Sequence, residues 1–139
     1  MKKQKGTNYY ANRHSCFLLQ YHLVVVTKNK KPVLVSPVKE ALIELSKNLL
    51  TENWGCNVIS INTDEDHIHI LFEAPPQVSL SVLANNYKTV TSRRMRKLFP
   101  KELKPYLLGT QFWSDSYFVG SVSDKSLATV DSYIRNQGG

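Results

Sequence analysis

Two cysteines in 139 residues are too few to staple a small fold, and Cys16 and Cys56 stand too far apart to form a CxxC pair. A disulfide scaffold and a zinc knuckle are both disfavoured, and a reduced, cytoplasmic setting fits. No run of about 18 apolar residues exists, so nothing reads as a membrane span. The basic start at Lys2, Lys3 and Lys5 has no long apolar stretch behind it, which argues against a signal peptide. No Walker-type glycine loop is present, so no nucleotide cofactor is expected. Acidic residues are also in the minority, 11 against 18 Lys plus Arg, for a formal net charge of +7.

What the chain does have is a globular composition, 42% hydrophobic and 21% charged. Its length suits one domain, residues 1–139, able to bury a core unaided. The basic charge is concentrated. Between Lys88 and Lys104 lie Lys88, Arg93, Arg94, Arg96, Lys97, Lys101 and Lys104, opposed by Glu102 alone. A solvated helix face is one explanation; a phosphate polymer is the natural partner for the other.

Residues 1–17 read as a loose basic arm. The run LLQYHLVVVT from Leu18 to Thr27 is rich in β-branched and aromatic types and predicts a buried strand. Pro37 suits the first turn of a helix. Val38, Ala41, Leu42, Leu45 and Leu49 then recur at helical spacing, ending near Asn53 before Gly55. Cys56 to Thr63 and His67 to Glu73, joined by an acidic turn, predict a hairpin. Ser79 can cap a helix running to about Leu98, with Leu80, Leu83, Tyr87, Val90 and Met95 inward and Asn86, Arg93, Arg96 and Lys97 outward. Tyr117 to Val122 predicts a fourth strand. Residues 126–137 predict a last helix with Leu127, Val130 and Ile134 as its apolar stripe. The order βαββαβ plus one helix indicates an α+β, ferredoxin-like antiparallel sheet with helices on one face and an added C-terminal helix.

His67 and His69 flank one apolar residue. On a strand both imidazoles emerge on one face while Ile68 faces the core. Such a pair begins a divalent metal site, or is simply two half-exposed strand histidines. Asp66, next in sequence, is expected to face away from both. Histidine-triad hydrolases require a further histidine at position 71, where Leu71 stands, and two-histidine phosphoesterases require HxT or HxS twice, which is absent. Tyr133 and Gln137 lie four residues apart on one helical face, roughly 60° from the apolar stripe at about 100° per residue. A Gln carbonyl oxygen can ligate Mg2+ or Mn2+; a tyrosine there is also ordinary edge packing. His14 and His22 read as structural or exposed. Tyr9, Tyr10 and Trp113 are candidates for stacking on unpaired bases, although Trp113 also suits the core. Arg94 reads either as a phosphate contact or as a buried structural group.

Four segments, in order, carry a resemblance: YHLVVVTK at Tyr21–Lys28, DHIHILFEAPP at Asp66–Pro76, YKTVTSRRMRKLFP at Tyr87–Pro100, and FWSDSYFVGSV at Phe112–Val122 followed by YIRNQ at Tyr133–Gln137. Together they resemble the single-tyrosine transposases of the HUH class, the small transposases of certain bacterial and archaeal insertion sequences. Glu65 stands where that family commonly has proline, as does Asp115 after FWS. The resemblance implies that His67, His69 and Gln137 hold a divalent metal and that Tyr133 is the nucleophile. It implies a homodimer that cleaves and rejoins single-stranded DNA with hairpin ends through a 5′-phosphotyrosine. Lys88, Arg93, Arg94, Arg96 and Lys97 are the candidate DNA contacts. Two rival readings are a non-catalytic ferredoxin-like nucleic-acid-binding domain and a related HUH replication-initiation nuclease.

Overall fold

The run of four aliphatic residues at Leu23–Val26 is fully buried. A strand alternates its side chains, so a continuous apolar run needs cover on both faces of the sheet. The computed structural model, which describes residues 19–106, 111–123 and 126–137, shows that cover. Four strands, β1 (Leu19–Val26), β2 (Asn57–Asp64), β3 (His67–Ala74) and β4 (Phe118–Ser121), form one antiparallel sheet in the order β2-β3-β1-β4. This is the ferredoxin-like arrangement expected of βαββαβ.

Two helices, α1 (Val38–Asn48) and α2 (Leu80–Leu98), cover one face. Leu23 and Val25 from β1 and Ile68, Ile70 and Phe72 from β3 meet Leu42, Leu83, Tyr87 and Met95 there. The Ser46 hydroxyl and the Tyr87 phenol, both buried, lie 2.8 Å apart and tie the helices together. Helix α1 widens into a π-type turn at Leu49–Asn53, and Gly55, at φ 65°, turns the chain into β2. Ser79 caps α2 by accepting from Val82 N. A short helix, α3 (Pro100–Leu103), follows α2.

The last helix, α4 (Ser126–Asn136), lies on the opposite face. Val130, Tyr133 and Ile134 pack there against Val24, Val26 and Phe118. The edge strand β2 shifts register between Val58 and Ser60, which leaves Ile59 exposed. Such a bulge discourages edge-to-edge pairing. The arm at residues 1–17, with Tyr9, Tyr10, His14 and Cys16, lies outside the described residues.

Candidate active site

Strand β3 alternates strictly: Ile68, Ile70, Phe72 and Ala74 are buried under α1 and α2, while His67 and His69 are half-buried on the α4 face. Their cross-strand partners on β1 are Val26 and Val24, the residues on which α4 rests. The expected same-face pair is therefore formed.

Asp66 does not face away. It lies 2.8 Å from His67 Nδ1 through Oδ1. The reason is local: Glu65 and Asp66 form the turn between β2 and β3, so strand alternation does not govern Asp66. Asp64, the cross-strand partner of His67, brings a third ligand atom, and those of Asp64, Asp66 and His67 lie within 4.8 Å of one another. Asp64 Oδ1 also accepts from Glu65 N at 2.8 Å. The corner can receive a cation.

His22 is only 4% exposed. Its Nδ1 lies 2.7 Å from His69 Nε2, and its Nε2 lies 2.9 Å from Ser126 Oγ at the start of α4. The sequence reading of His22 as structural or exposed missed this contact, which depends on β1 pairing with β3 in a particular register. Burial lowers the pKa of His22. Burial also lowers that of His69, assisted by His22 and His67 and opposed by Asp131 of α4.

The apolar stripe of α4 holds at Val130 and Ile134 and departs from expectation at Leu127. Leu127 is 64% exposed, while Ser126 and Val130 are buried. Ser126 turns inward to meet His22, and at about 100° per residue this rotates Leu127 outward. Tyr133, half-buried at the border of this cluster, packs against Phe118, with ring centroids 5.9 Å apart. Ser116 Oγ donates to Gln137 Oε1 at 3.0 Å and lies 2.8 Å from the Tyr133 phenol. A hydroxyl has one proton, so the phenol donates to Ser116. Burial raises the Tyr133 pKa. Lys30 Nζ donates to the Ile134 carbonyl at 3.2 Å and holds the last turn of α4. His67 with His69, and Tyr133 with Gln137, thus form two pairs on one sheet face; no hydrogen bond joins the pairs among the described residues.

Arg93, Arg94, Arg96 and Lys97 lie on α2; Arg94 is exposed, which removes its buried alternative. Lys88 is half-buried and donates to the Asp115 carbonyl at 2.9 Å. Burial lowers its pKa, and Asp115 opposes this. Trp113 is core, 3% exposed, with its indole N–H donating to Thr91 Oγ1 at 2.9 Å. A cavity of about 260 Å³ is lined by Lys88, Arg93, Arg96, Gln111 and Trp113, among others. The basic face of α2 and the histidine face are on opposite sides of the sheet. The 112–114 segment bridges them along the edge of β1: Lys28 N donates to the Phe112 carbonyl and Ser114 N to the Val26 carbonyl. Ser116, next along, touches Tyr133. Among the described residues no helix is long and apolar enough to cross a membrane.

The family described as "Transposase IS200 like" matches residues 15–137. The chain is 32% identical over 137 residues to the ISDra2 transposase TnpA of Deinococcus radiodurans, a match covering 99% of this chain and 92% of that protein. It is 26% identical over 125 residues to the transposase for insertion sequence element IS200 of Salmonella typhimurium, covering 89% of this chain and 80% of that one. The crystal structure of an assigned transposase from Deinococcus radiodurans R1 aligns with a TM-score of 0.80 at 32% identity, over 100% of this chain and 99% of that one. The two histidines and the tyrosine helix thus sit in a chain that belongs to the IS200-like transposase family.

Proposed function

We propose that this transposase cleaves and rejoins single-stranded DNA at hairpin-bearing ends, with Tyr133 as nucleophile and with His67, His69 and Gln137 as the holders of Mg2+ or Mn2+. What supports the reading is that both pairs lie on one sheet face, with α4 resting on Val24 and Val26, the strand partners of the histidines. The donor set fits the ion. Two imidazoles and one amide oxygen suit a divalent cation of this kind, and Asp66 holds Nδ1 of His67 as an outer carboxylate does in metal sites. A second lone pair on Gln137 Oε1 remains beside its bond to Ser116.

When bound, the ion supplies Lewis-acid polarisation of a phosphate oxygen. Ser116 orients the phenol before reaction. The Tyr133 phenol gives its proton to solvent and its oxygen attacks phosphorus, so the tyrosyl O–P bond forms and the bond to the 3′ oxygen breaks. The leaving strand departs as a 3′-hydroxyl, having taken up a proton, and the 5′ end stays on the enzyme. A second 3′-hydroxyl reverses the step on a new strand, so the phosphodiester bond energy is conserved and no nucleotide is consumed. Arg93, Arg94, Arg96 and Lys97 hold the DNA backbone, and Lys88 braces the bridging segment. The working form is a homodimer.

The deciding experiment incubates the protein with a labelled single-stranded hairpin oligonucleotide and Mn2+. A covalent adduct mapping to Tyr133, lost in Tyr133→Phe and in excess chelator, is the expected result. Cleavage retained by Tyr133→Phe overturns the reading.

A further inference from the structure

We propose that His22 is a positioning residue for His69: it takes the proton of His69 Nε2 in a hydrogen bond and so leaves Nδ1 of His69 bare for the cation. The inference rests on the metal reading of His67 and His69 given above.

Proton counting sets the direction of each bond. Ser126 Oγ has one proton and two lone pairs. It donates to the Ser123 carbonyl at 2.8 Å and accepts from the Ser123 N–H at 3.2 Å. Its remaining lone pair meets His22 Nε2 at 2.9 Å. His22 Nε2 therefore carries a proton and donates it. In a neutral imidazole the other nitrogen is then an acceptor. His22 Nδ1 accordingly accepts from His69 Nε2 at 2.7 Å. His69 Nε2 carries the proton, and its Nδ1 keeps a free lone pair.

The reverse direction fails on two counts. Ser126 would donate to His22, and the Ser123 carbonyl would lose the hydroxyl and keep only the Ser126 N–H at 3.1 Å. His69 Nε2 would become an acceptor, which makes Nδ1 the N–H, so neither nitrogen of His69 could ligate. Only the first arrangement satisfies Ser126 fully and leaves His69 a donor atom. His67 is handled in parallel, since its Nδ1 is held by Asp66 and its Nε2 is left bare. Each imidazole thus has one nitrogen fixed from behind, by a carboxylate in one case and an imidazole in the other. Outer partners of this kind set the tautomer and ring orientation of a ligating histidine. The relay also has a mechanical consequence. Ser126 is the first residue of α4, so His22 links the histidine strand to the helix that carries Tyr133.

The test measures Mn2+ affinity by electron paramagnetic resonance on the full chain. It compares wild type with His22→Ala, His22→Asn, His22→Gln and His69→Ala, each checked by thermal melting. An Asn carbonyl oxygen takes the place of Nδ1 and can still accept from His69. A Gln amide takes the place of Nε2 and keeps only the bond to Ser126. His22→Ala and His22→Gln should weaken Mn2+ binding by roughly 10–100-fold, and His22→Asn should restore most of it. Wild-type affinity in His22→Ala overturns the positioning role, as does a folded His22→Asn that binds as weakly as His22→Ala. Nitrogen-15 shifts of His69 in the metal-free wild type give a check that needs no variant. A protonated Nε2 with a bare Nδ1 supports the proposal, and the opposite tautomer overturns it. If His69→Ala binds Mn2+ as wild type does, the metal reading itself has failed.

Discussion

The Tyr133 phenolic oxygen lies 2.8 Å from the Ser116 hydroxyl, and that hydroxyl also donates to Gln137. One serine on the approach to β4 thereby holds both Tyr133 of α4 and Gln137 just past its end, the two residues of this segment that the proposed chemistry uses. Ser116→Ala should leave the fold intact, because Ser116 is exposed. It should slow covalent adduct formation by roughly fivefold to tenfold, the scale of one hydrogen bond. The measurement is the single-turnover rate with a labelled hairpin oligonucleotide, and an unchanged rate would remove Ser116 from the positioning of the phenol.

Asp66→Ala and Asp64→Ala separate two arrangements of the acidic corner. If Asp66 acts from behind His67, its removal should weaken Mn2+ binding by about 10–100-fold, while Asp64→Ala should have little effect. If the ion instead sits among Asp64, Asp66 and His67, both variants should bind poorly and His69→Ala should bind normally. Calorimetric titration of the three variants distinguishes these outcomes.

The parts of the fold that could be read from the chain are those governed by local periodicity. Alternation in HIHILFE placed both histidines on one face because β3 is regular across Ile68, Ile70 and Phe72. The spacing of Leu83, Tyr87 and Met95 gave the inner face of α2, and Ser79 caps it. What escaped the sequence depends on contacts between distant segments or on breaks in regularity. His22 reaches His69 only because β1 and β3 pair with His22 opposite Leu71 and Val24 opposite His69, a diagonal neighbour. Asp66 sits in a turn, where alternation has no hold. Ser126 carries no apolar signal, yet its bond to His22 sets the rotation of α4 and turns Leu127 outward. Ser116 belongs to no periodic pattern at all.

Binding to single-stranded DNA should weaken steeply with salt, since each phosphate neutralised by Lys or Arg releases condensed counterions. Arg93 and Arg94 are both exposed on the outer side of α2. The double variant Arg93→Ala/Arg94→Ala should lower the slope of log K against log salt by about one for each phosphate no longer neutralised, on the order of two in total. Fluorescence anisotropy across a salt series reads this directly. A slope equal to that of wild type would exclude these two side chains from the docking surface.

Trp113 and Cys56 test the core from two sides. Trp113 is enclosed by Phe112, Tyr87 and Thr91, so Trp113→Ala should cost about 3–5 kcal/mol of stability. DNA should not quench the fluorescence of this residue, whereas a stacking role would make it do so. Cys56 is buried, and its thiol is pushed up to about 12 by burial alone. The native protein therefore keeps this thiol protonated where the unfolded chain, with its thiol near 9.0, begins to ionise. Because the folded value is the raised one, the stabilising contribution is fully present below pH 9 and is lost as pH rises toward 12. In a Cys16→Ser background, Cys56 should resist iodoacetamide at about pH 8 until denaturant is added, because the thiolate is the reactive form. Rapid alkylation of the native protein at that pH would mean that the β2 end of the core opens far more readily than its packing against Leu50 and its neighbours implies.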